Sequence, residues 1–445
     1  MTVLFRGAHA VDASGERPGT WLLVDGDRIV ATGREGDLDV AVDADPRASA
    51  PGQPAGGAVP VADATVDLAG ARLTPGMVDL HSHGAGGASW DDDLADVEGG
   101  LAVHRAHGTT RSVLSLVAAP LPRLRRSLER VAALRERDPL VLGAHLEGPF
   151  LAPGRRGAHD PRHLVAPSSE AVDALLAAAP GVLRQVTVAP ELPGGLEAIE
   201  RFVSAGVVVA VGHTEADHAL TAAAFERGAT VLTHALNAMP GLHHREPGPV
   251  GAAVGDERVT LELVLDGRHV HPQVAAMLFA AAPGRVALVT DAMAATGAGD
   301  GDHRLGGLAV TVADGRAVLV GTDTLAGSTL TQDAALRLAL GPARQSPVAA
   351  VTALTLTPAR ALGLAAAPAG SAGAGAGTGA GLGAEAGAVA PAPAVAAAPA
   401  AGAAPLGLLA PGHAADLVVW TDDWHVARVW AAGVELDVGR APGGP

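Results

Sequence analysis

The 445-residue sequence contains no cysteine and no lysine, so every cationic side chain is an arginine or a histidine. The absence of cysteine excludes disulfide bonds, thiol nucleophiles, iron–sulfur clusters and cysteine zinc sites. The absence of lysine excludes a P-loop lysine, a Schiff-base nucleophile, pyridoxal attachment and a carbamylated-lysine bridge between metals.

Basic residues are also outnumbered by acidic ones. The 31 arginines face 47 acidic residues, which gives a formal net charge of −16. Such a charge repels nucleic-acid backbones and anionic membrane surfaces, so we expect neither as a partner. Residues 1–12 lack the long apolar core of a secretory signal peptide, and we therefore expect a cytoplasmic protein.

Aromatic residues make up only 2% of the chain, but hydrophobic residues reach 48% and charged residues 18%. This balance is typical of a globular protein. At ~100–200 residues per domain, the length fits two to four domains or one large barrel with an appendage. No segment is apolar for long enough to predict a membrane span.

Eight apolar runs with β-strand character recur about every 30 residues, which is the length of one strand and one helix. The runs are 77–79, 110–116, 141–145, 184–188, 207–211, 230–233, 261–265 and 286–290. Helical stretches lie between them, for example 122–137 and 168–179. The fold class that this rhythm predicts is α/β, with a (β/α)8 TIM-like barrel.

Both chain ends show short strands instead. The segment Asp25-Gly26-Asp27-Arg28 predicts a hairpin, and residues 43–60 predict a loop rich in Pro, Gly and Ala. Because residues 415–420 and 426–436 have the same strand character, we expect both ends to form one small β-sandwich domain. Residues 365–405 predict a flexible low-complexity insert. The predicted organisation is 1–73 for the first part of the β-domain, 74–364 for the barrel, 365–405 for the insert and 406–445 for the second part of the β-domain.

Side chains of types that can bind metals follow five of the eight runs. A barrel enzyme places its catalytic residues at these carboxyl ends of the strands. The side chains are His81, His83, His145, Glu147, His213, His234 and Asp291. Each alone could be a loop or core residue, a helix cap or a buried histidine with satisfied hydrogen bonds. Their coincidence at strand ends predicts a metal site, and this donor set suits Zn²⁺, Fe²⁺, Mn²⁺ or Co²⁺.

The motifs around these residues resemble the N-acetylglucosamine-6-phosphate deacetylase family of the amidohydrolase superfamily. The resemblance covers about residues 1–364 and 406–440. The chain departs from the family pattern in the insert and in its lack of lysine, and neither departure affects the motifs. The matching segments are 75–84 (PGMVDLHSHG), 145–150 (HLEGPF), 212–214 (GHT), 233–239 (THALNAM), 266–270 (DGRHV) and 290–292 (TDA).

The resemblance implies a divalent metal ion as cofactor, with one or two ions per subunit. It assigns Glu147, His213 and His234 to the main site, while His81 and His83 complete a second site that some members lack. Many members of the superfamily bridge two metals with a modified lysine, and Glu147 is the available substitute here. We expect zinc, with iron, manganese or cobalt as alternatives.

The resemblance also implies the catalytic residues. Asp291 matches the general base that takes a proton from water and then gives it to the departing amine. His159 matches a histidine that polarises the substrate carbonyl, although it could also be a surface loop histidine.

For the substrate, the resemblance implies a small sugar phosphate bound by a homodimer. Arg245 and His269 match phosphate contacts donated across the dimer interface, although Arg245 could also be a solvated loop residue. The backbone around Asn237 and Ala238 assists them. The positions that line the sugar are Ala158, Leu325, Ala326, Gly327 and Ser328.

The resemblance therefore predicts hydrolysis of the acetamide of N-acetylglucosamine 6-phosphate to glucosamine 6-phosphate and acetate, in amino-sugar catabolism and cell-wall sugar recycling. A related amidohydrolase acting on N-acetylgalactosamine 6-phosphate, or on another N-acyl or cyclic amide, is the enzyme alternative. A scaffold of the same fold without chemistry is the non-enzyme alternative, but the expected ligands are all present.

Overall fold

The chain begins with an antiparallel arrangement of three strands. The computed structural model describes residues 1–36, 62–92, 96–366 and 403–438. Strands β1 (Thr2–Asp12), β2 (Gly15–Asp25) and β3 (Arg28–Arg34) follow one another directly. The predicted hairpin is confirmed, because β2 ends at Asp25 and β3 begins at Arg28. The predicted loop at residues 43–60 lies outside the described residues.

Two further strands pair parallel to β1 and lead into the barrel. They are β4 (Ala64–Asp67) and β5 (Arg72–Pro75). The first barrel strand is β6 (Met77–Ser82), followed by a short ladder of β7 (Gly84–Ala85) with β8 (Ala88–Ser89).

Eight parallel strands form the barrel, and each pairs with the next in chain order from β6 onward. The other seven are β9 (Thr109–Val117), β10 (Val141–Glu147), β11 (Leu183–Val188), β12 (Val208–Val211), β13 (Val231–Leu232), β14 (Thr260–Leu263) and β15 (Val286–Leu288). The last and first strands meet just beyond β15, where Ala292 bridges Ser82 and the Asp291 N–H donates to the His81 carbonyl at 2.8 Å. All eight predicted runs are therefore confirmed as barrel strands.

Ten α-helices that lie wholly within the described ranges pack around the barrel or follow it. They are α1 (Val97–Ala106), α2 (Leu121–Arg137), α3 (Ser169–Ala178), α4 (Gly195–Ser204), α5 (His218–Glu226), α6 (Gly248–Gly255), α7 (Pro272–Ala281), α8 (Gln332–Leu340), α9 (Pro347–Leu354) and α10 (Leu356–Ala361). Both predicted helices, 122–137 and 168–179, are confirmed to within one residue at each end. The Ser168 hydroxyl caps α3 by accepting from the Ala171 N–H. In the described ranges, no helix has the length and apolar character that crossing a membrane would require.

A three-stranded antiparallel sheet separates the last barrel strand from α8. Its strands are β16 (Gly301–Leu305), β17 (Leu308–Ala313) and β18 (Arg316–Leu319). The sheet shares an apolar cluster with Met293 and Ala158, which lie on loops at the carboxyl end of the barrel. It therefore forms part of the wall around that end, and the strand rhythm that predicted the barrel did not include it.

The C-terminal strands complete the first sheet. They are β19 (Leu417–Trp420), β20 (Val426–Ala431) and β21 (Val434–Leu436), and β19 pairs antiparallel with β5. Phe5 and Trp430 pack edge to face with ring centroids 5.0 Å apart, so residues from both chain ends share one core. The predicted fold class is confirmed. The domain boundaries stay a prediction, and most of the predicted insert, residues 367–402, lies outside the described residues.

The barrel interior is polar beneath the carboxyl ends of its strands. Buried side chains there include His81 on β6, His145 on β10, Gln185 on β11 and Glu262 on β14, and none of them is exposed. The hydrogen bonds they make with one another and with Ser115 and Thr187 satisfy groups that would otherwise be costly to bury. This layer supports the site above it.

Candidate metal centre

Two groups of three metal-binding side chains meet at the carboxyl end of the barrel. Within each group, one ligand atom per residue lies within 4.8 Å of the others, and all six residues are buried. The first group is His81, His83 and Asp291, and the second is Glu147, His213 and His234. The structure therefore brings together the five residues that the resemblance assigned to metal binding, and Asp291 joins them. His145, which the pattern at the strand ends also included, belongs to neither group.

The second group is centred on one carboxylate oxygen. The Nε2 atoms of His213 and His234 lie 3.1 Å and 3.0 Å from Oε1 of Glu147, and 2.9 Å from each other. Nδ1 of His213 donates to the Arg155 carbonyl at 2.8 Å. That bond orients the ring so that Nε2 faces Glu147.

Glu147 also reaches the first group. Its Oε1 lies 3.3 Å from Nε2 of His81, and its Oε2 lies 3.1 Å from Nε2 of His83. Oδ1 of Asp291 is 3.5 Å and 3.4 Å from the same two nitrogens. One carboxylate thus lies between the two groups, which is the place of a bridging ligand.

Unusual backbone conformations aim three of these side chains inward. His213, His234 and Asp291 have φ values of 46°, 26° and 50°, in the left-handed region that residues other than glycine rarely adopt. Each follows a barrel strand. Backbone hydrogen bonds hold the turns, such as the one from Ala152 N–H to the His213 carbonyl at 2.9 Å. Strain of this kind is concentrated at functional sites.

The acidic and basic groups of the centre shift one another's pKa values. Burial opposes charge on His83, yet hydrogen bonds with Asp291 and Glu147 raise its pKa to about 9. Burial likewise opposes ionisation of Asp291, but the contact with His83 lowers its pKa to about 2. The pKa of Glu147 is held well below its usual range, because the charge on His81 and hydrogen bonds from three histidines outweigh burial.

The imidazole rings and the buried carboxylates therefore interact strongly, and a divalent ion bound at the same atoms would compete with protons for them. The donors are imidazole nitrogens and carboxylate oxygens, with no sulfur. This set fits zinc, iron, manganese or cobalt better than calcium or magnesium, which prefer oxygen ligands alone. The residues present thus fit the implied metal cofactor.

His159 lies beside the centre with a defined hydrogen-bonding pattern. Its Nε2 is 3.3 Å from Oε2 of Glu147, and its Nδ1 accepts the Ala118 N–H at 3.2 Å. Because a backbone N–H can only donate, Nδ1 is the acceptor and the ring proton sits on Nε2. The ring therefore presents an N–H donor to the cavity.

The site opens into a cavity of about 330 Å³. Most of the predicted site residues line it, namely His83, Glu147, Ala158, His159, His213, His234, Asn237, Ala238, His269, Asp291, Leu325 and Gly327. Ala326 and Ser328 are buried and lie behind the wall. The Ser328 N–H donates to the Asp291 carbonyl at 2.7 Å, so Ser328 holds the Asp291 turn in place.

The two predicted phosphate residues have different positions. His269 lines the cavity of its own chain, where Nδ1 is 2.8 Å from Asp266 and Nε2 is 3.9 Å from Oδ2 of Asp291. This corrects the prediction that His269 is donated by a partner subunit, because the turn after β14 already directs it into its own site. Arg245 lies on the exposed segment 241–246 and does not line the cavity of its own chain.

The structure also adds residues that the sequence analysis missed. Arg155 lines the cavity from the short turn Pro153–Arg155. The sequence offered one signal for Arg155, namely its position between Glu147 and His159, which were both predicted site residues. Leu305 and Thr324 also line this cavity; Leu305 is the last residue of β16 in the three-stranded sheet, and Thr324 follows that sheet in the chain. Nothing local in the sequence marks either residue.

Comparisons with known proteins agree with this geometry. The N-acetylgalactosamine-6-phosphate deacetylase of Escherichia coli O157:H7 is 36% identical over 365 residues, which are 81% of this chain and 86% of that protein. The N-acetylglucosamine-6-phosphate deacetylase of Bos taurus is 36% identical over 318 residues, which are 68% of this chain and 78% of that protein.

Solved structures are similar over nearly the whole chain. A variant of N-acetyl-D-glucosamine-6-phosphate deacetylase from Mycobacterium smegmatis, in complex with N-acetyl-D-glucosamine-6-phosphate, has a TM-score of 0.79 and 36% identity, and the match covers 98% of this chain and 99% of that chain. The deacetylase from Pasteurella multocida has a TM-score of 0.79 at 25% identity, over 97% and 99% of the two chains. Residues 72–372 match the family described as the amidohydrolase family. The chain therefore belongs to the amidohydrolase family.

Proposed function

We propose that the protein hydrolyses the acetamide of N-acetylglucosamine 6-phosphate to glucosamine 6-phosphate and acetate, in a metal-dependent reaction. The observation that carries this proposal is that His159 lines the same cavity as Glu147 and Asp291, which are two of the six clustered metal-binding side chains. Relatives that bear this activity in their names match most of the chain. The reaction belongs to amino-sugar catabolism and cell-wall sugar recycling.

Glu147, His213 and His234 would hold the metal ion, and His81, His83 and Asp291 would hold a second ion. Zinc is the ion we expect, with iron, manganese or cobalt as alternatives. When bound, such an ion supplies Lewis acidity, which acidifies water and polarises a carbonyl.

Asp291 moves the proton in this mechanism. Its carboxylate lines the cavity and is ionised, so an oxygen can accept a proton from the attacking water. The same oxygen then gives the proton to the nitrogen of the departing amine. His159 donates its Nε2 hydrogen to the substrate carbonyl oxygen and stabilises the negative charge that develops there.

The substrate fits between the metal centre and the loops above it. Ala158, Leu325 and Gly327 line the sugar, while His269 and the backbone at Asn237 and Ala238 face the phosphate. Ala326 and Ser328 support this wall from behind. The resemblance implies a homodimer in which Arg245 reaches the cavity of the second copy, and the exposed position of Arg245 is compatible with that role. We expect the protein in the cytoplasm, because a sugar phosphate made inside the cell carries a charge that keeps it from crossing the bilayer.

A second candidate substrate is N-acetylgalactosamine 6-phosphate. The similarity to the Escherichia coli enzyme named for that sugar, over 81% of this chain, favours it. The two sugars differ only in the configuration at one hydroxyl group, and both carry the same acetamide and phosphate.

The deciding experiment measures acetate release from both phosphorylated sugars and from their unphosphorylated forms, with protein of known metal content. We expect the highest kcat/KM for N-acetylglucosamine 6-phosphate. A higher kcat/KM for N-acetylgalactosamine 6-phosphate would show that the second candidate is the preferred substrate. No acetate from any of the four sugars by metal-loaded protein would refute the proposal.

A further inference from the structure

A buried glutamate lies directly beneath the metal centre. Glu262 is on β14 inside the barrel and has no exposed surface. Its Oε2 lies 3.2 Å from Nδ1 of His81, and its Oε1 accepts from Nε2 of Gln185 at 2.7 Å. Glu262 does not line the substrate cavity. Its contacts therefore connect it to the site through His81.

The contact with Glu262 decides how His81 faces the centre. A carboxylate accepts the Nδ1 hydrogen, which leaves Nε2 pointing at the other ligand atoms. Nε2 of His81 is 3.1 Å from Nε2 of His83 and 3.5 Å from Oδ1 of Asp291. Because Gln185 holds the second oxygen, the carboxylate itself is fixed in orientation.

The other imidazoles of the centre are held differently. A backbone carbonyl accepts from Nδ1 of His213, while Nδ1 of His83 and Nδ1 of His234 are buried and have no partner in the described part of the chain. Among these four rings, and within the described residues, His81 is the one whose Nδ1 faces a carboxylate. A carboxylate behind an imidazole makes the opposite nitrogen a stronger metal donor.

We propose that Glu262 is a positioning residue that raises the affinity of the group of His81, His83 and Asp291 for a divalent ion. The proposal rests on the metal-dependent function proposed above. Glu262 acts by fixing the His81 ring and by adding negative charge behind it. The hydrogen bonds of Glu262 go to His81 and Gln185 and to no member of the group of Glu147, His213 and His234, so we expect that group to keep its ion.

Two substitutions separate the orienting contact from the charge. Glu262→Gln keeps an oxygen that can accept from His81, and Gln185 can turn its amide to face the new side chain, since Oε1 of Gln185 has no partner among the described residues. Glu262→Met removes both the acceptor and the charge. Ser115→Ala is the matched control, because it removes a buried barrel hydrogen bond to His145, which belongs to neither group.

The experiment titrates zinc into metal-stripped protein against a chromophoric chelator and measures zinc per chain after dialysis. We expect two ions in the wild type and in Ser115→Ala. Glu262→Gln should retain two ions with the weaker site loosened about 10-fold, and Glu262→Met should lose that ion, because removing such a partner costs about 10–100-fold in affinity. The tighter ion, retained in every variant, reports that the protein is folded.

A single ion in the wild type, or two ions of wild-type affinity in Glu262→Met, would overturn the proposal. Should Glu262→Met not fold, an unchanged weaker site in Glu262→Gln would overturn it instead. Acetate release from N-acetylglucosamine 6-phosphate by the wild type is measured separately. Failure of that assay with two bound ions would refute the proposed function and leave the role of Glu262 standing.

Discussion

The backbone N–H of Ala118 donates to Nδ1 of His159 at 3.2 Å, and this bond determines which ring nitrogen faces the substrate cavity. A strand end thereby sets the protonation pattern of a side chain 41 residues later in the chain. Neutral His159 can only present its Nε2 hydrogen to the cavity, which is what stabilisation of a carbonyl oxygen requires.

We expect His159→Ala to lower kcat by roughly 100–1,000-fold, the usual effect of losing one oxyanion donor. Metal content should stay at the wild-type value. The matched control is His163→Ala, which removes a histidine from the next short turn, Pro161–His163. Steady-state kinetics with acetate detection measure both. Wild-type kcat in His159→Ala would remove this residue from the mechanism.

For Asp291→Asn, we expect kcat to fall by at least ~100-fold, because an amide cannot accept the proton of the attacking water. The ion at Glu147, His213 and His234 should remain. The exposed Asp302→Asn, on β16, serves as the control and should leave kcat unchanged. Rates and metal content are measured on the same samples. Turnover near the wild-type rate would show that another carboxylate is the base.

Arg155 is expected to bind the phosphate within its own chain. It lines the cavity, and its buried Nε has no hydrogen-bond partner among the described residues. We expect Arg155→Ala to raise KM for the phosphorylated sugar by roughly 10–100-fold, because a charge-assisted hydrogen bond contributes ~1.5–3 kcal/mol.

The neighbouring Arg156→Ala should change KM little, because Arg156 is exposed and its side chain contacts the Pro153 carbonyl. Unphosphorylated N-acetylglucosamine should be a poor substrate for wild type and Arg155→Ala alike. An equal loss on both sugars would mean that Arg155 does not act through the phosphate.

Arg245 tests the dimer. If Arg245, which is exposed on its own chain, contacts the phosphate in the cavity of the partner subunit, Arg245→Ala should raise KM for the phosphorylated sugar. Mixing Arg245→Ala chains with Asp291→Asn chains should then restore part of the activity, because one site of each hybrid dimer has an intact Asp291 and a donated Arg245. The measurement is acetate release after subunit exchange. No recovery despite proven exchange would contradict donation across the interface.

A stability prediction concerns the junction of the chain ends. The buried Asp12 accepts from both terminal nitrogens of Arg17, at 2.9 Å and 2.8 Å, and from the Leu409 N–H at 2.9 Å. Burial opposes ionisation of Asp12, but these hydrogen bonds outweigh it and lower its pKa. Its contribution to stability is therefore present at neutral pH and is lost as the pH falls below about 4.

Asp12→Asn should lower the free energy of unfolding at pH 7 by roughly 1.5–3 kcal/mol, the value of hydrogen bonds to a charged group. The difference from the wild type should shrink at acidic pH, where both proteins lack the charge. Denaturant unfolding at several pH values measures this, with the exposed Asp25→Asn as control. A difference that is independent of pH would show that the charge of Asp12 contributes nothing.

The sequence by itself determined the barrel and the chemistry of its site. Apolar runs about 30 residues apart specify strand and helix units, and parallel strands of a barrel end at the same rim, so His81, Glu147, His213, His234 and Asp291 had to converge. The hairpin at Asp25–Arg28 could also be predicted from the sequence, because the residues within a turn determine its conformation. The absence of lysine left Glu147 as the carboxylate available between the two ligand groups.

Only the tertiary structure decided which side chains support that site. Glu262 lies inside an apolar run, and its contact with His81 spans 181 residues. The arrangement of the strands across the barrel brings the two residues together, and sequence spacing does not predict it. His269 faces its own cavity because of the turn that follows β14. Leu305 reaches the wall through a sheet outside the barrel rhythm. Such contacts depend on strand register and on turns with left-handed backbone conformations. The amino-acid type does not reveal such a conformation, as the positive φ of His213 shows.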